Sequence, residues 1–176
     1  MSDAIDIAPG LAPAPDPRAM LAAAREYHAA GLAVTPIRPR GKVPVLDAWQ
    51  TTHIAEDALP AHFSGPCNIG VVLGAMSGGA IDIDLDGPEA ITLAPEMLPP
   101  TGRIFGRSGK PRSHYEYVLD PVEPSQTRQY RDVTANGTSG EMLIEMRGDG
   151  GQTVYPPSIH VSGEAIVWCE PVGLPA

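Results

Sequence analysis

The chain has 176 residues, 43% of them hydrophobic, which is enough to bury one core and too few for two full-sized domains. Its 21 acidic and 12 basic residues give a formal net charge of −9, which excludes a protein that coats nucleic acid through bulk charge but leaves room for a local basic groove. With 19 glycines and 20 prolines the chain should consist of short elements joined by many turns, not of a coiled coil or helical bundle, and with 5% aromatic residues its core should be built from Ala, Val, Ile and Leu.

Residues 1–16 carry Pro9, Pro13 and Pro15 among alanines and aspartates and read as a flexible tail, leaving 17–176 as one domain. Asp16 is placed to cap a helix with Pro17 in its first turn, apolar at Met20, Leu21, Ala24 and Tyr27 and ended by Gly31. Residues 32–37 read as a strand, followed by a Pro/Gly loop that Trp49 is expected to anchor on the core. A short helix over 55–63 and a buried strand over 68–73 come next. A turn at 75–79 leads into a second strand over 80–85, and 88–97 reads as a helix. Strands are expected at 103–105 and 114–119 around a basic turn. A hairpin of 141–146 with 152–155 is expected across Gly148-Asp149-Gly150-Gly151, and 165–169 should be a last strand. The sum is an α+β chain, a sheet with helices on one side.

Cys67 and Cys169 lie far apart and in no metal-type spacing, so two free thiols are expected rather than a zinc site or a disulfide. No apolar run approaches the roughly 18–20 residues that span a bilayer, and residues 1–17 lack the basic start and apolar stretch of a secretory leader. The expectation is a soluble, cytoplasmic protein with no membrane partner.

The most informative stretch is Ala80-Ile81-Asp82-Ile83-Asp84-Leu85-Asp86-Gly87. On a strand Asp82, Asp84 and Asp86 share one face, neighbours about 7 Å apart, while Ile81, Ile83 and Leu85 pack on the other. Three carboxylates on one face repel unless cations neutralise them, and hard oxygen ligands suit Mg²⁺ or Mn²⁺, two ions being bridged and flanked by such a set. The competing readings are an acidic edge strand that resists aggregation and a calcium loop. The calcium loop fails because its twelfth position, counted from Asp82, is Leu93.

Glu145 lies among apolar residues in Leu143-Ile144-Glu145-Met146-Arg147, and Arg147 should point the same way. The pair reads either as a surface ion pair or as a further metal carboxylate with an arginine for phosphate. His114 follows Arg103, Arg107, Lys110, Arg112 and Ser113. Residues 101–131 hold six basic and three acidic side chains, a positive segment in a negative protein that fits phosphate binding.

Taken in order, these motifs resemble the bifunctional primase/polymerase domain of the archaeo-eukaryotic primase superfamily. The acid-x-acid strand is Asp82 to Asp86, the histidine after a small polar residue is Ser113-His114, and the later acid is Glu145. The flanks match as well: Asn68-Ile69-Gly70-Val71-Val72-Leu73-Gly74, Gly41-Lys42-Val43-Pro44 with Trp49, and Gly150-Gly151-Gln152-Thr153-Val154-Tyr155-Pro156-Pro157-Ser158, so the likeness covers about residues 19–170. Two spacings compete for the acid pair: Gly78-Gly79 favours Asp82 with Asp84, Gly87-Pro88-Glu89 favours Asp84 with Asp86. Arg112 stands where a small residue is usual, and no zinc-binding insertion is present.

The resemblance implies a catalytic core with an RNA-recognition-motif-like sheet plus a small N-terminal α/β unit. It implies two divalent ions, Mg²⁺ or Mn²⁺, on Asp82, Asp84, Asp86 and Glu145. It further implies nucleotide contacts from His114, with Ser113, Arg112, Lys110, Arg107 and Arg147 around it. The activity implied is template-dependent DNA primase and polymerase in a plasmid, phage or prophage replication protein. Nucleoside triphosphates, a single-stranded DNA template with its primer, and a helicase domain or protein would be the partners. A chain ending soon after this domain is expected to be a fragment of a longer replication protein. The alternatives are a non-catalytic nucleotide or single-stranded nucleic-acid binding module of the same fold, and a sugar-nucleotide transferase, which the Glu145 and Pro156-Pro157-Ser158 context disfavours.

Overall fold

The structure is a computed structural model that describes residues 14–133 and 139–169. Residues 1–13 of the expected tail, and 170–176 of the expected domain, lie outside the described residues.

The first helix, α1 (Pro17–Ala29), begins as its sequence requires. The Asp16 carboxylate accepts from the Arg18 N–H at 3.0 Å, Pro17 occupies the first turn, and Gly31 turns the chain out at φ +81°. Met20, Ala23, Ala24 and Tyr27 form its buried stripe. β1 (Ala33–Ile37) is buried at every position and contains Pro36, tolerated because β1 is an edge strand. After the Pro/Gly loop come a 3₁₀ turn, Glu56–Ala58, and the short α2 (Leu59–His62). The loop's half-buried contribution to the core is Leu46, where the sequence pointed to Trp49. β2 (Asn68–Val72), β3 (Ala80–Leu85) and α3 (Pro88–Met97) fall where the pattern placed them.

The later strands differ from expectation. β4 (Ile104–Arg107) and β5 (Lys110–Val118) form a hairpin with Ser108 and Gly109 at its tip, so the basic residues lie in strands rather than in a long turn. Gly106 is needed there, because a Cβ would lie 2.8 Å from the Arg112 nitrogen and 3.1 Å from the Pro111 carbonyl carbon. β6 (Arg128–Val133) is an added strand, exposed at all six positions and carrying no apolar alternation to betray it. β7 (Ser139–Arg147) and β8 (Gln152–Tyr155) are not a hairpin. β7 pairs with β3 and β6, and β8 pairs with β2. β9 (Val167–Trp168) pairs with β4.

The described strands therefore make two antiparallel sheets, not one: β1-β2-β8, and β6-β7-β3-β5-β4-β9. The fold is α+β. α1 and α2 cover the small sheet through Met20, Tyr27, Leu59 and Phe63, while α3 covers the back of the large sheet against Leu85, Ile104 and Tyr115. The small unit is not wholly N-terminal, because its third strand is β8. The aromatic residues also carry more of the core than their number suggests. Tyr27, Phe105, Tyr155 and Trp168 meet where the sheets join, edge to face in the pairs Tyr27–Tyr155, Phe105–Trp168 and Tyr155–Trp168 and tilted in Phe105–Tyr155, with centroids 5.1–5.9 Å apart. Trp168 Nε1 donates to Tyr27 Oη at 3.1 Å, which donates to the Pro156 carbonyl at 2.8 Å. Cys67 is buried, Cys169 half-buried, and both are free thiols. No helix among the described residues is long and apolar enough to cross a membrane.

The link from β7 to β8 is stapled by Asp149. Its carboxylate accepts from the Ala75 and Ser125 N–H groups, each at 2.7 Å, and these bonds hold it ionised below the usual carboxylate range. Gly74, at φ +74°, packs so closely on Asp149 that a Cβ would overlap its carboxylate. Gly74→Ala should therefore cost at least about 2 kcal/mol of stability by strain and overlap together, read as a lowered denaturant midpoint; an unchanged midpoint would show that this crossing is loosely held.

Candidate active site

The register of the large sheet assembles the site. Asp84 lies opposite His114 on β5 and Glu145 on β7, and Asp82 lies opposite Glu116 and Arg147. Residues directly opposite share a face, so six ionisable side chains from three strands occupy one patch. Asp82 and Asp84 are 0% and 4% exposed. Asp86 stands apart: it follows the last residue of β3, is exposed, and pairs with Lys110 Nζ at 2.6 Å. The shared acidic face expected over three aspartates is thus a buried pair with an exposed third member.

Arg147 is the counter-charge. Its Nη2 donates to Asp84 Oδ2 at 2.6 Å and its Nε to Glu145 Oε2 at 2.6 Å, while Nη1 lies 3.7 Å from Asp82 Oδ2. A planar guanidinium can address several carboxylates at once. Burial disfavours its charge, but Asp84, Asp82 and Glu145 outweigh that and raise its pKa further. Burial likewise pushes Glu145 up, yet hydrogen bonds from Gln129 Nε2, at 2.7 Å, and from Arg147 bring it below the usual carboxylate range. Arg147 and Glu145 do point the same way, as alternation required.

Asp82 is bonded chiefly by His114 and Thr153. His114 Nδ1 lies 3.0 and 3.2 Å from its two oxygens, and Thr153 Oγ1 donates to Oδ2 at 2.6 Å. Burial penalises the Asp82 charge, but His114, Arg147 and Thr153 together keep it ionised below the ordinary value. The His114 ring stacks on Phe105, centroids 4.5 Å apart and planes 7° apart, and its Nε2 lies 3.8 Å from Asp84 Oδ1. That Asp84 oxygen is buried and has no hydrogen-bond partner among the described residues; Lys110 Nζ is 3.9 Å away.

A cleft opens over this patch. Asp84, Asp86, Arg107, Lys110, Ser113, His114 and Arg147 line it, whereas Asp82, Arg112 and Glu145 do not. Arg112 adopts φ +52° beside Gly106 in the β4–β5 hairpin. The sequence reading missed the opposite wall, where Lys42 and His160 also line the cleft. Burial, with the charges of Arg107 and Lys42, lowers the His160 pKa. Lys42 lay in a segment already singled out, but its approach to the cleft depends on Gln152 Nε2 donating to its carbonyl at 2.9 Å from β8. Glu164 ties the hairpin tip to the 158–166 loop: it accepts from Ser108 Oγ at 2.7 Å, from the Gly109 N–H and from Arg107 Nη1 at 2.8 Å. Hydrogen bonds from Ser162, Ser108 and Gly109 bring its pKa down to about 2.

Among the described residues no three His, Cys, Asp or Glu side chains are grouped to hold a metal ion; the carboxylates converge on Arg147 instead. The donor chemistry nevertheless fits a hard divalent cation, with one buried Asp84 oxygen unpartnered and Asp86 beside it on the cleft.

Among the described residues, two antiparallel sheets thus carry an acidic strand facing a histidine and a later glutamate, beside a cleft walled by cations. Family comparison matches residues 24–176 to the N-terminal domain of bifunctional DNA primase/polymerases, and the chain belongs to that family. It is a primase/polymerase domain, whose substrates are nucleotides and DNA. No curated protein matches the chain.

Beside Asp82 on the same face of the sheet, Glu116 is 2% exposed. Arg103 Nε and Nη2 donate to its Oε2 at 3.0 and 2.8 Å, while its Oε1 has no partner among the described residues. Burial, opposed by Arg103 and reinforced by Asp82, pushes its pKa up to about 8. The unfolded chain would titrate it near 4.3, so the native state holds the extra proton. Its contribution to stability is full below about pH 4.3 and is lost as pH rises through about 8. Wild type should lose at least about 1 kcal/mol relative to Glu116→Gln between pH 5 and pH 9, measured by denaturant unfolding; parallel pH profiles would contradict this.

Proposed function

We propose that the chain catalyses template-directed nucleotidyl transfer. A 3′-hydroxyl attacks the α-phosphorus of a nucleoside triphosphate and gives up its proton to solvent, the new O–P bond forms as the bond from that phosphorus to the oxygen bridging to the β-phosphate breaks, and pyrophosphate leaves. The observation that carries the reading is the unpartnered, buried Asp84 oxygen on a cleft that also presents Asp86, Lys110, Arg107 and His114. Asp84, Asp86 and Glu145 would hold Mg²⁺ or Mn²⁺, two ions in the family reading, which supply charge neutralisation to the attacking and leaving oxygens. Of the two competing spacings this favours Asp84 with Asp86, because Asp82 is 0% exposed with both oxygens bonded, whereas Glu145, though also bonded, is only half-buried and lies directly opposite Asp84.

The chain's own residues supply alignment and charge. Lys110, Arg107 and Arg147 bring cationic donors to the phosphates, and His114 Nε2 meets the triphosphate from β5. The proposed setting, a plasmid, phage or prophage replication protein with a helicase partner, rests on the family resemblance.

The alternative, a binding module of the same fold without turnover, is favoured by one observation: Arg147 already neutralises the acids. Primer extension on a single-stranded template, with Mn²⁺ or Mg²⁺, separates the two. The wild type should extend the primer, and Asp84→Ala or Glu145→Ala should reduce incorporation by on the order of a hundredfold or more. Full activity in either variant contradicts the assignment; nucleotide binding without extension in the wild type favours the alternative.

A further inference from the structure

The strand Asp82-Ile83-Asp84 presents two buried aspartates that look equivalent in sequence and share Arg147 and His114 as neighbours, yet differ in how their oxygens are engaged. Asp84 keeps one oxygen unpartnered on the cleft. Asp82 has both oxygens engaged and is fully buried off the cleft.

We propose that Asp82 is the positioning residue of His114, fixing the imidazole with Nδ1–H turned inward and Nε2 turned to the cleft. The functional consequence rests on the reading of His114 as a phosphate contact given above, in which Nε2, the lone-pair nitrogen of the Nδ1–H ring, takes up a proton to donate to a phosphate oxygen. A carboxylate only accepts hydrogen bonds, so the ring nitrogen 3.0 Å from Asp82 Oδ2 and 3.2 Å from Oδ1 must carry hydrogen. Phe105 covers one face of the ring, with centroids 4.5 Å apart, and fixes its plane. Thr153, 1% exposed, anchors the carboxylate from the small sheet, so the ring is referenced to both sheets at once. The bond made by one ring nitrogen of a histidine sets which tautomer and edge the other presents. A ring fixed in this way loses no rotamer freedom when nucleotide arrives.

The direct test is the tautomer. Long-range ¹H–¹⁵N spectra of histidine-labelled protein, free of metal and nucleotide and at a pH where the ring is neutral, should show His114 protonated at Nδ1. Asp82→Asn, which retains an acceptor oxygen, should keep that state. Asp82→Ala should lose it, while the other four histidines, His28, His53, His62 and His160, keep their shifts and report an intact fold. Wild-type His114 protonated at Nε2, or an unchanged tautomer in Asp82→Ala, overturns the proposal, and the wild-type spectrum decides even if the alanine variant does not fold.

Equilibrium binding of dATP in the presence of Mn²⁺ then tests the consequence. Asp82→Ala should weaken binding about tenfold, Asp82→Asn should largely restore it, and Asp82→Ala should add less than about twofold in a His114→Ala background. A tenfold cost that persists without His114 overturns the positioning role. If His114→Ala leaves dATP binding unchanged while the wild-type spectrum is as expected, the pinned ring stands and the phosphate reading falls.

Discussion

Asp84, Glu145 and Asp82 come from two neighbouring strands onto one face of the large sheet, two of them almost wholly removed from water. Carboxylates gathered in that way repel one another and lose hydration, and only a cation among them makes the arrangement stable. Arg147 is that cation, with 2.6 Å bonds to Asp84 and Glu145. Removing one partner from a buried charged cluster typically costs about 3–5 kcal/mol, because the remaining charges are left without compensation. In the proposed function a divalent cation would meet the demand that the chain meets with a guanidinium and with Lys110 at Asp86.

The second constraint is the crossing from β7 to β8. Arg147 ends a strand of the large sheet and Gln152 begins one in the small sheet, so Arg147 and Thr153 approach the same Asp82 carboxylate from different sheets. Asp149 and Gly74 hold this crossing against the turn before β3. The aromatic contacts of Tyr27, Tyr155, Phe105 and Trp168 fix the sheets to each other, and Phe105 is also the surface on which His114 stacks. Packing at the joint and geometry in the cleft are therefore coupled through one side chain.

Much of this was legible in the sequence, for local reasons. The capped helix at Pro17, the buried strand at Asn68 and the acidic strand at Ala80 announce themselves through turn residues and two- or four-residue apolar spacing. The family resemblance rested on short motifs, each contiguous in sequence and centred on one strand or loop. What stayed hidden is non-local. Gly148-Asp149-Gly150-Gly151 reads as a hairpin turn, and nothing in those four residues tells that Asp149 bonds Ala75 and Ser125 and sends the next strand to another sheet. β6 is polar at almost every position and gains its place only by pairing with β7. Strand alternation put Asp82, Asp84 and Asp86 on one face but could not rank them. Their division into an inner pair and an outer member follows from where β3 ends and from what β5, β7 and β8 bring opposite it.

The site depends on Arg147 as the charge that holds the acids together, at the place where the proposed divalent cation would also serve. The most direct measurement is the unfolding free energy of Arg147→Met, with and without Mn²⁺. Without the metal the variant should be destabilised by about 3–5 kcal/mol relative to wild type. Mn²⁺ should restore a substantial part of that loss, and the restoration should vanish when Asp84 is also replaced by Ala. A variant as stable as wild type in metal-free buffer, or one to which Mn²⁺ adds nothing, would contradict the account.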